Sequence, residues 1–108
     1  GLAISAETLA SRTARLPAVE INRPEAALGR STVESIQAGL YFGHAGAIRQ
    51  LTASLTREAF PASRPVVLGT GGFARLFEGE ALFDEIVPEL VLLGLQQAEA
   101  LNPVEVPE

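Results

Sequence analysis

The clearest pattern along the chain is a run of apolar residues at roughly helical spacing that begins behind Ser31. Ser31 and Glu34 fit a capping box, in which the serine side chain accepts a free backbone amide and the glutamate reaches back toward the cap. The run therefore predicts a long helix over residues 32–57. Its apolar positions are Val33, Ile36, Leu40, Ala47, Ile48, Leu51 and Leu55.

Three glycines, Gly39, Gly43 and Gly46, lie inside this predicted helix. Each is expected to lower the stability of the helix by about 1 kcal/mol relative to alanine. Three in one helix indicate either a second helix packed closely against them, for example across a dimer interface, or a break into two helices. His44 lies on the same helix, where a packed or partly exposed side chain is the ordinary interpretation.

Shorter patterns predict the remaining elements. Ser5 is a suitable N-cap for a helix over residues 5–15. Pro88 suits the first turn of a last helix, which Asn102 ends. Residues 66–68, a β-branched apolar run, are typical of a fully buried strand. The prediction is a helix-rich α/β fold, completed by extended segments over residues 18–21 and 83–87 and a short helix over residues 73–77.

Composition narrows the class of protein. With 108 residues, 47% of them hydrophobic, the chain suffices for one small domain or part of a larger one and is too apolar for a disordered segment. Its 8 basic residues, all arginine, against 13 acidic ones give a net charge of −5, which argues against a nucleic-acid-binding surface. The longest apolar run, residues 90–95, is too short to cross a membrane.

Few side chains could carry out a reaction. The chain has no cysteine, one histidine and one aspartate, so it offers no thiolate, no cysteine-based zinc site and no catalytic triad of its own. The single aspartate, Asp84, has no partner that the sequence reveals. The chain also lacks methionine, and one so short and apolar is expected to bury surface against something else. We therefore expect a piece of a larger protein.

Two segments could hold a ligand. Residues 29–32, Gly-Arg-Ser-Thr, combine a guanidinium, two hydroxyl groups and the free amides of a helix N-terminus, which suit a carboxylate or a phosphate. An ordinary capping box beside an exposed arginine is the alternative. Residues 66–74 join a strand, a glycine turn and a helix, so a ligand can approach the backbone closely. This segment is neither a GxGxxG nor a Walker motif, and a plain tight turn is its alternative.

Four motifs of the chain, in the order in which they occur along the sequence, resemble the C-terminal half of the type III pantothenate kinase family. The resemblance extends from residue 1 to about residue 102. Its motifs are ISxxxLxxxTAxLP at residues 4–17, LGRSTVESIQAG at 28–39, TGGFA at 70–74 and PxLxLxGL at 88–95, with Asn102 after them.

The resemblance implies a ribonuclease-H-like α/β domain of the actin-like ATPase superfamily, in which two such domains surround an ATP cleft. Residues 1–102 would form an incomplete C-terminal domain and residues 103–108 a frayed tail. The implied reaction transfers the γ-phosphoryl group of ATP to pantothenate, giving 4′-phosphopantothenate in the first step of coenzyme A biosynthesis. The implied enzyme is a cytoplasmic homodimer that uses Mg²⁺ and a monovalent cation, K⁺ or NH₄⁺.

The resemblance also assigns roles to residues. Thr32 matches the threonine that contacts pantothenate, and Gly71 and Gly72 match the glycine pair on the adenosine side of the nucleotide. Ser31 stands where asparagine, another good N-cap, is common. The family's catalytic aspartate, phosphate loop and cation ligands lie upstream of these motifs. This chain is therefore expected to supply no catalytic residue and no metal ligand.

Other functions stay open at this point. A non-catalytic relative, similar to the accessory-factor proteins, would act through protein contacts, and a small helical interaction module would bind no ligand. The kinase itself would bind pantothenate and ATP, pair with the N-terminal half of the same protein and with a second copy, and involve neither nucleic acid nor a membrane. An acidic phosphate-loop motif in upstream sequence would favour the enzyme.

Overall fold

The computed structural model describes residues 1–13 and 16–103 and shows a helix-rich α/β arrangement. Two short strands and a 3₁₀ helix lie between the second and third α-helices. In chain order the elements are α1 (Leu2–Arg12), α2 (Thr32–Ala59), β1 (Leu68–Gly69), the 3₁₀ helix (Ala74–Glu80), β2 (Glu85–Ile86) and α3 (Leu90–Leu101). The predicted tail falls outside the described residues except for residue 103.

The long helix α2 confirms the strongest sequence prediction. Its N-cap is Ser31, whose hydroxyl oxygen accepts from the Glu34 amide at 3.1 Å. The Glu34 carboxylate accepts from the amide of Arg30 at 2.6 Å, one residue earlier than the capping box requires. The helix continues for 28 residues through its three glycines, so the alternative of a break into two helices is wrong.

The first helix begins earlier than its sequence predicts. Gly1 is its N-cap, and Ser5 lies inside the helix with its amide donating to the Gly1 carbonyl at 3.0 Å. The prediction that Ser5 caps the helix is therefore wrong, because this bond already makes the preceding turn helical. The helix ends at Arg12, and residues 14 and 15 of the predicted range lie outside the described residues.

The last helix begins at Leu90, with Glu89 as its N-cap. Pro88 thus precedes the helix instead of forming its first turn. The predicted end is confirmed, since Asn102 is the C-cap and its amide donates to the Ala98 carbonyl at 2.9 Å. No residue of α3 is buried, and the exposed fractions of Val91 and Leu101 are 71% and 70%.

The two strands pair in parallel, with Leu68 opposite Glu85 and Gly69 opposite Ile86. The predicted strand over residues 66–68 is therefore displaced. Its predicted burial is also wrong, because Val66 is 73% exposed and Leu68 is 44% exposed. Within the described residues the sheet has only these two strands, and the Leu68 side chain of β1 is partly exposed.

Of the three other short segments predicted from the sequence, two occur as elements of the structure and one does not. The segment over residues 83–87 contains β2, and the short helix predicted at residues 73–77 occurs as the longer 3₁₀ helix. The described segment at residues 18–21 forms no strand. Its apolar side chains, Val19 and Ile21, still pack against the core.

The core lies at the middle of α2, where α1 and the 3₁₀ helix pack against it. Tyr41 of α2 is 1% exposed, and its ring stacks on that of Phe77 with a centroid separation of 5.0 Å. The cluster of buried residues comprises Leu2, Ala6, Leu40, Tyr41, Ala45, Phe77 and Leu82. Packing of these side chains fixes the segment after the predicted glycine turn against the middle of α2.

Within the described residues no helix is long and apolar enough to cross a membrane.

A Cβ atom added at Gly39, Gly43 or Gly46 would meet nothing within 4 Å. The close helix partner expected beside these glycines is thus not provided by the described part of this chain.

Candidate binding site at a helix N-terminus and a glycine turn

Thr32 is the first residue of α2 and is exposed. The neighbouring Ser31 side chain performs the capping, so the cap does not use the Thr32 hydroxyl. The first amides of an α-helix lack partners within the helix, and the helix dipole favours negative charge near them. The arrangement can therefore present a hydroxyl group and backbone amides to an acidic or polar ligand.

An open cleft of about 670 Å³ lies beside this helix end. Arg23, Arg30, Glu34 and Gln37 contribute to its lining, but Thr32 does not. The Gln37 side chain donates to the carbonyl of Glu20 at 3.1 Å, which fastens the preceding segment to α2. The two guanidinium groups of this lining are balanced by two carboxylates, those of Glu25 and Glu34, and the sequence pattern indicated only Arg30 among them.

The glycine turn follows the carboxyl end of β1. Gly71 has a φ of +92°, which favours glycine because other residues are strained there. Gly71 and Gly72 are exposed, and a Cβ atom at either would meet nothing within 4 Å. The Ala74 amide donates to the Gly71 carbonyl at 3.3 Å. The backbone of this turn is therefore open to close approach by a ligand, in the position where open α/β sheets bind ligands.

Gly69, at the end of β1, is needed for a different reason. It is buried, and a Cβ atom there would lie 2.6 Å from the ring of Phe83. A side chain at this position would push the ring away and displace the start of the turn. Sequence reasoning placed Gly69 in the turn but did not identify this contact.

Thr32 and the glycine turn lie on separate elements, and the cleft beside α2 includes neither Gly71 nor Gly72 in its lining. The structural connection between them passes through Tyr41. Its hydroxyl group donates to the carboxylate of Glu80, at the end of the 3₁₀ helix, across 3.0 Å. Arg49 of α2 donates to the Glu80 carbonyl at 3.3 Å and pairs with its carboxylate at 3.5 Å. Side chains of α2 thus hold the helix that follows the turn.

Burial raises the pKa of Tyr41, and its hydrogen bond to Glu80 raises it further. The hydroxyl group therefore stays protonated and remains a donor at neutral pH. Tyr41 is therefore a fixed connection between α2 and the 3₁₀ helix.

Asp84 has two partners that the sequence did not reveal. One carboxylate oxygen accepts from the amide of Val67 at 2.8 Å, and the other accepts from the Arg64 guanidinium at 2.7 Å. The hydrogen bond from Val67 is the main cause that lowers the pKa of Asp84, and the nearby charge of Arg64 lowers it further. The carboxylate is thus ionised and fully engaged by the segment that leads into β1.

The remaining polar candidates do not form a reaction centre. The Nδ1–H group of His44 donates to the Leu40 carbonyl at 2.8 Å, which confirms a packed helix residue, since a carbonyl can only accept. Within residues 1–13 and 16–103, no group of three histidine, aspartate or glutamate side chains could hold a metal ion. These residues therefore offer no cluster of three carboxylate or imidazole side chains for Mg²⁺.

Comparison with known proteins finds similarity to a family of kinases. The family model for type III pantothenate kinase matches residues 1–54, half of the 108 residues. The type III pantothenate kinase of Legionella pneumophila (strain Corby) is 47% identical over 102 residues, which cover 94% of this chain. Type III pantothenate kinase 1 of Francisella tularensis subsp. holarctica (strain OSU18) and the type III pantothenate kinase of Elusimicrobium minutum (strain Pei191) are each 41% identical over the same share.

The chain belongs to the type III pantothenate kinase family, which confirms the resemblance of its four motifs. It spans 40% of the length of each of these three relatives. The matched region includes both the helix N-terminus at Thr32 and, because it covers 102 residues of 108, the glycine turn.

Proposed function

We propose that this chain forms the C-terminal part of a pantothenate kinase, which transfers the γ-phosphoryl group of ATP to the hydroxyl group of pantothenate. The reaction would yield 4′-phosphopantothenate in the first step of coenzyme A biosynthesis. The observation that carries the proposal is the 47% identity to a protein named type III pantothenate kinase over 94% of the chain. The exposed Thr32 and the open glycine turn support it, because both can reach a ligand.

Each candidate residue has a role in this proposal. The Thr32 hydroxyl group and the first amides of α2 would bind pantothenate. The backbone at Gly71 and Gly72 would lie against the adenosine side of ATP, where the absence of side chains permits close contact. Phosphoryl transfer depends mainly on positioning and on stabilisation of the phosphate charge, and these three residues contribute to the first of these.

Other requirements of the reaction would be met outside this chain. The catalytic aspartate, the phosphate loop and the ligands of Mg²⁺ and of K⁺ or NH₄⁺ would belong to the rest of the kinase, as the resemblance of the motifs implies. Magnesium would neutralise phosphate charge when bound. The chain at hand would contribute substrate contacts and no catalytic residue.

The exposed apolar surfaces suggest how the rest of the enzyme is arranged. Residues 1–102 would form part of a ribonuclease-H-like C-terminal domain, with residues 103–108 as its tail. The N-terminal half of the protein would cover α3 and the exposed side of Leu68, whose apolar groups are costly to leave in water. A second copy would pack on Gly39, Gly43 and Gly46 in a cytoplasmic homodimer, because these positions leave room for a close helix partner.

A phosphorylation assay of the complete enzyme tests the proposed function. The enzyme is incubated with ATP and pantothenate, and the products are separated and weighed by mass spectrometry. We expect 4′-phosphopantothenate and ADP in equal amounts. ATP hydrolysis without phosphorylated pantothenate, or no binding of either substrate by calorimetry, would contradict the proposal and favour an accessory-factor-like protein.

A further inference from the structure

Asp84 holds Val67 through two hydrogen bonds of opposite direction. The Val67 amide donates to the Asp84 carboxylate at 2.8 Å, and the Asp84 amide donates to the Val67 carbonyl at 2.8 Å. The second of these bonds extends the parallel ladder by one step before its first backbone pair. In the bond that the Val67 amide donates, the acceptor is the Asp84 side chain, whereas a longer strand would supply a backbone carbonyl.

This side-chain bond matters because the ladder is so short. It contains two residue pairs, Leu68 with Glu85 and Gly69 with Ile86, and its one side chain on β1, that of Leu68, is 44% exposed. Register is weakly specified in a glycine-rich strand, and a shift of one residue reverses the side on which each side chain lies. At the other end, the Val87 amide donates to the Gly69 carbonyl at 2.8 Å. Asp84 and Val87 therefore hold β1 from its two ends.

The position of the glycine turn depends on the position of β1. Thr70 follows β1 directly, and Gly71 and Gly72 come next. A ligand that contacts the backbone of this turn requires β1 to lie in one register, since a displaced strand would carry the turn with it. The buried approach of Phe83 to Gly69 lies in the same short region and depends on the same register.

The carboxylate of Asp84 is not itself available for a reaction. One oxygen accepts from Val67 and the other from Arg64. The Arg64 side chain is 84% exposed, and ion pairs with so exposed a partner contribute little. The hydrogen bond to the Val67 amide is therefore the contact through which the Asp84 carboxylate holds the strand.

We propose that Asp84 is a positioning residue for nucleotide binding, which holds Val67 and thereby sets the place of the Gly71–Gly72 backbone against ATP. The inference rests on the proposed function of the glycine turn. It assigns a role to the one aspartate of the chain, which lies outside every motif of the family resemblance.

Kinetics of the complete enzyme test this role. Asp84→Ala removes the acceptor, and we expect the KM for ATP to rise about tenfold, because a hydrogen bond to a charged group is lost, while the KM for pantothenate changes less than about twofold. Asp84→Asn keeps an oxygen that can accept from Val67 and should restore most of the ATP affinity. Arg64→Ala, and the matched control Glu85→Gln on the adjacent exposed residue, should leave both KM values within about twofold of the wild type.

Hydrogen exchange separates this inference from the proposed function. In Asp84→Ala the amides of residues 67–72 should exchange faster than in the wild type, whereas Glu85→Gln should leave them unchanged. A wild-type enzyme that does not phosphorylate pantothenate would contradict the proposed function, while the exchange rates and the affinity for ATP would still test Asp84. Unchanged exchange, an equal rise of both KM values, or no rescue by Asp84→Asn would overturn the positioning role.

Discussion

Tyr41 donates a hydrogen bond to the Glu80 carboxylate across 3.0 Å and joins residues 39 positions apart in the chain. The ring below that hydroxyl group stacks on Phe77 in the core. One side chain thus supplies both apolar packing and a polar connection between α2 and the helix after the glycine turn. Of the two candidate substrate contacts, Thr32 lies on α2, and Gly71 lies in the turn that precedes the 3₁₀ helix.

Tyr41→Phe should lower stability without disturbing the core. The substitution keeps the ring against Phe77 and removes the hydrogen bond to Glu80, whose side chain is 16% exposed and still pairs with Arg49. We expect a loss of about 1 to 2 kcal/mol, which thermal melts of the complete enzyme would detect. Tyr41→Leu also loses the stacked ring and should melt at a lower temperature still. Equal melting of the wild type and Tyr41→Phe would show that the hydrogen bond contributes nothing.

The contribution of Asp84 to stability should depend on pH in the acid range. Its pKa in the folded protein lies below the ordinary value of 3.8, so the folded state favours the ionised form. The stabilisation is therefore present above pH 3.8 and is lost as the pH falls through the lower, folded value.

Thermal melts of the wild type and Asp84→Asn across this range would measure the effect. The difference between their melting temperatures should be constant near neutral pH and should shrink as the carboxylate is protonated. Glu85→Gln serves as the control on the neighbouring residue. A difference that stays the same from neutral to strongly acid pH would contradict the part assigned to the Asp84 carboxylate.

Gly71→Ala should impair ATP use more than Gly72→Ala. Gly71 has a φ of +92°, so alanine there costs about 1 to 3 kcal/mol of strain or moves the turn. Gly72 has no such requirement, although its surroundings are equally open. Steady-state kinetics should show a higher KM for ATP in Gly71→Ala and a nearly unchanged KM for pantothenate. If both variants behave alike, backbone conformation is not what the turn contributes.

Leucine at Gly39 or Gly43 should weaken association of the complete enzyme. Neither position contacts another part of the described chain, so leucine can be accommodated within one copy but would obstruct a closely packed second helix. Alanine at the same positions should instead favour the helix by about 1 kcal/mol. Sedimentation would measure the outcome, and an unchanged association constant in both leucine variants would exclude these glycines from the interface.

The parts of the fold that could be predicted from sequence are those that local chemistry decides. Helix α2 follows from the bond between Ser31 and Glu34 and from apolar spacing, both of which involve neighbours along the chain. The end of α3 at Asn102 and the turn at Gly71 are local in the same sense. The sequence accordingly predicts the helix start at Thr32 and the turn at Gly71 and Gly72, and the binding roles of these residues are proposals.

Distant contacts could not be predicted in this way. The partners of Asp84, Val67 and Arg64, lie 17 and 20 positions away in the chain, and no local sequence pattern indicates them. The burial of a strand depends on what covers it, so the apolar run at residues 66–68 could not show that Val66 is 73% exposed. Ser5 resembled a cap only because the preceding turn, which is already helical, has no strong pattern of its own.

The most direct test of the central claim is the catalytic efficiency of Thr32→Val toward pantothenate in the complete enzyme. Valine keeps the shape of threonine and removes the hydroxyl group, and Ser31→Ala serves as the control because Ser31 performs the capping. We expect Thr32→Val to lose about ten- to a hundredfold in kcat/KM for pantothenate, with little change for ATP, since one hydrogen bond to the ligand is lost. Ser31→Ala should lower stability by about 1 kcal/mol with a smaller effect on pantothenate. Unchanged efficiency in Thr32→Val together with a lower melting temperature would show that Thr32 is structural and would contradict the assigned pantothenate contact.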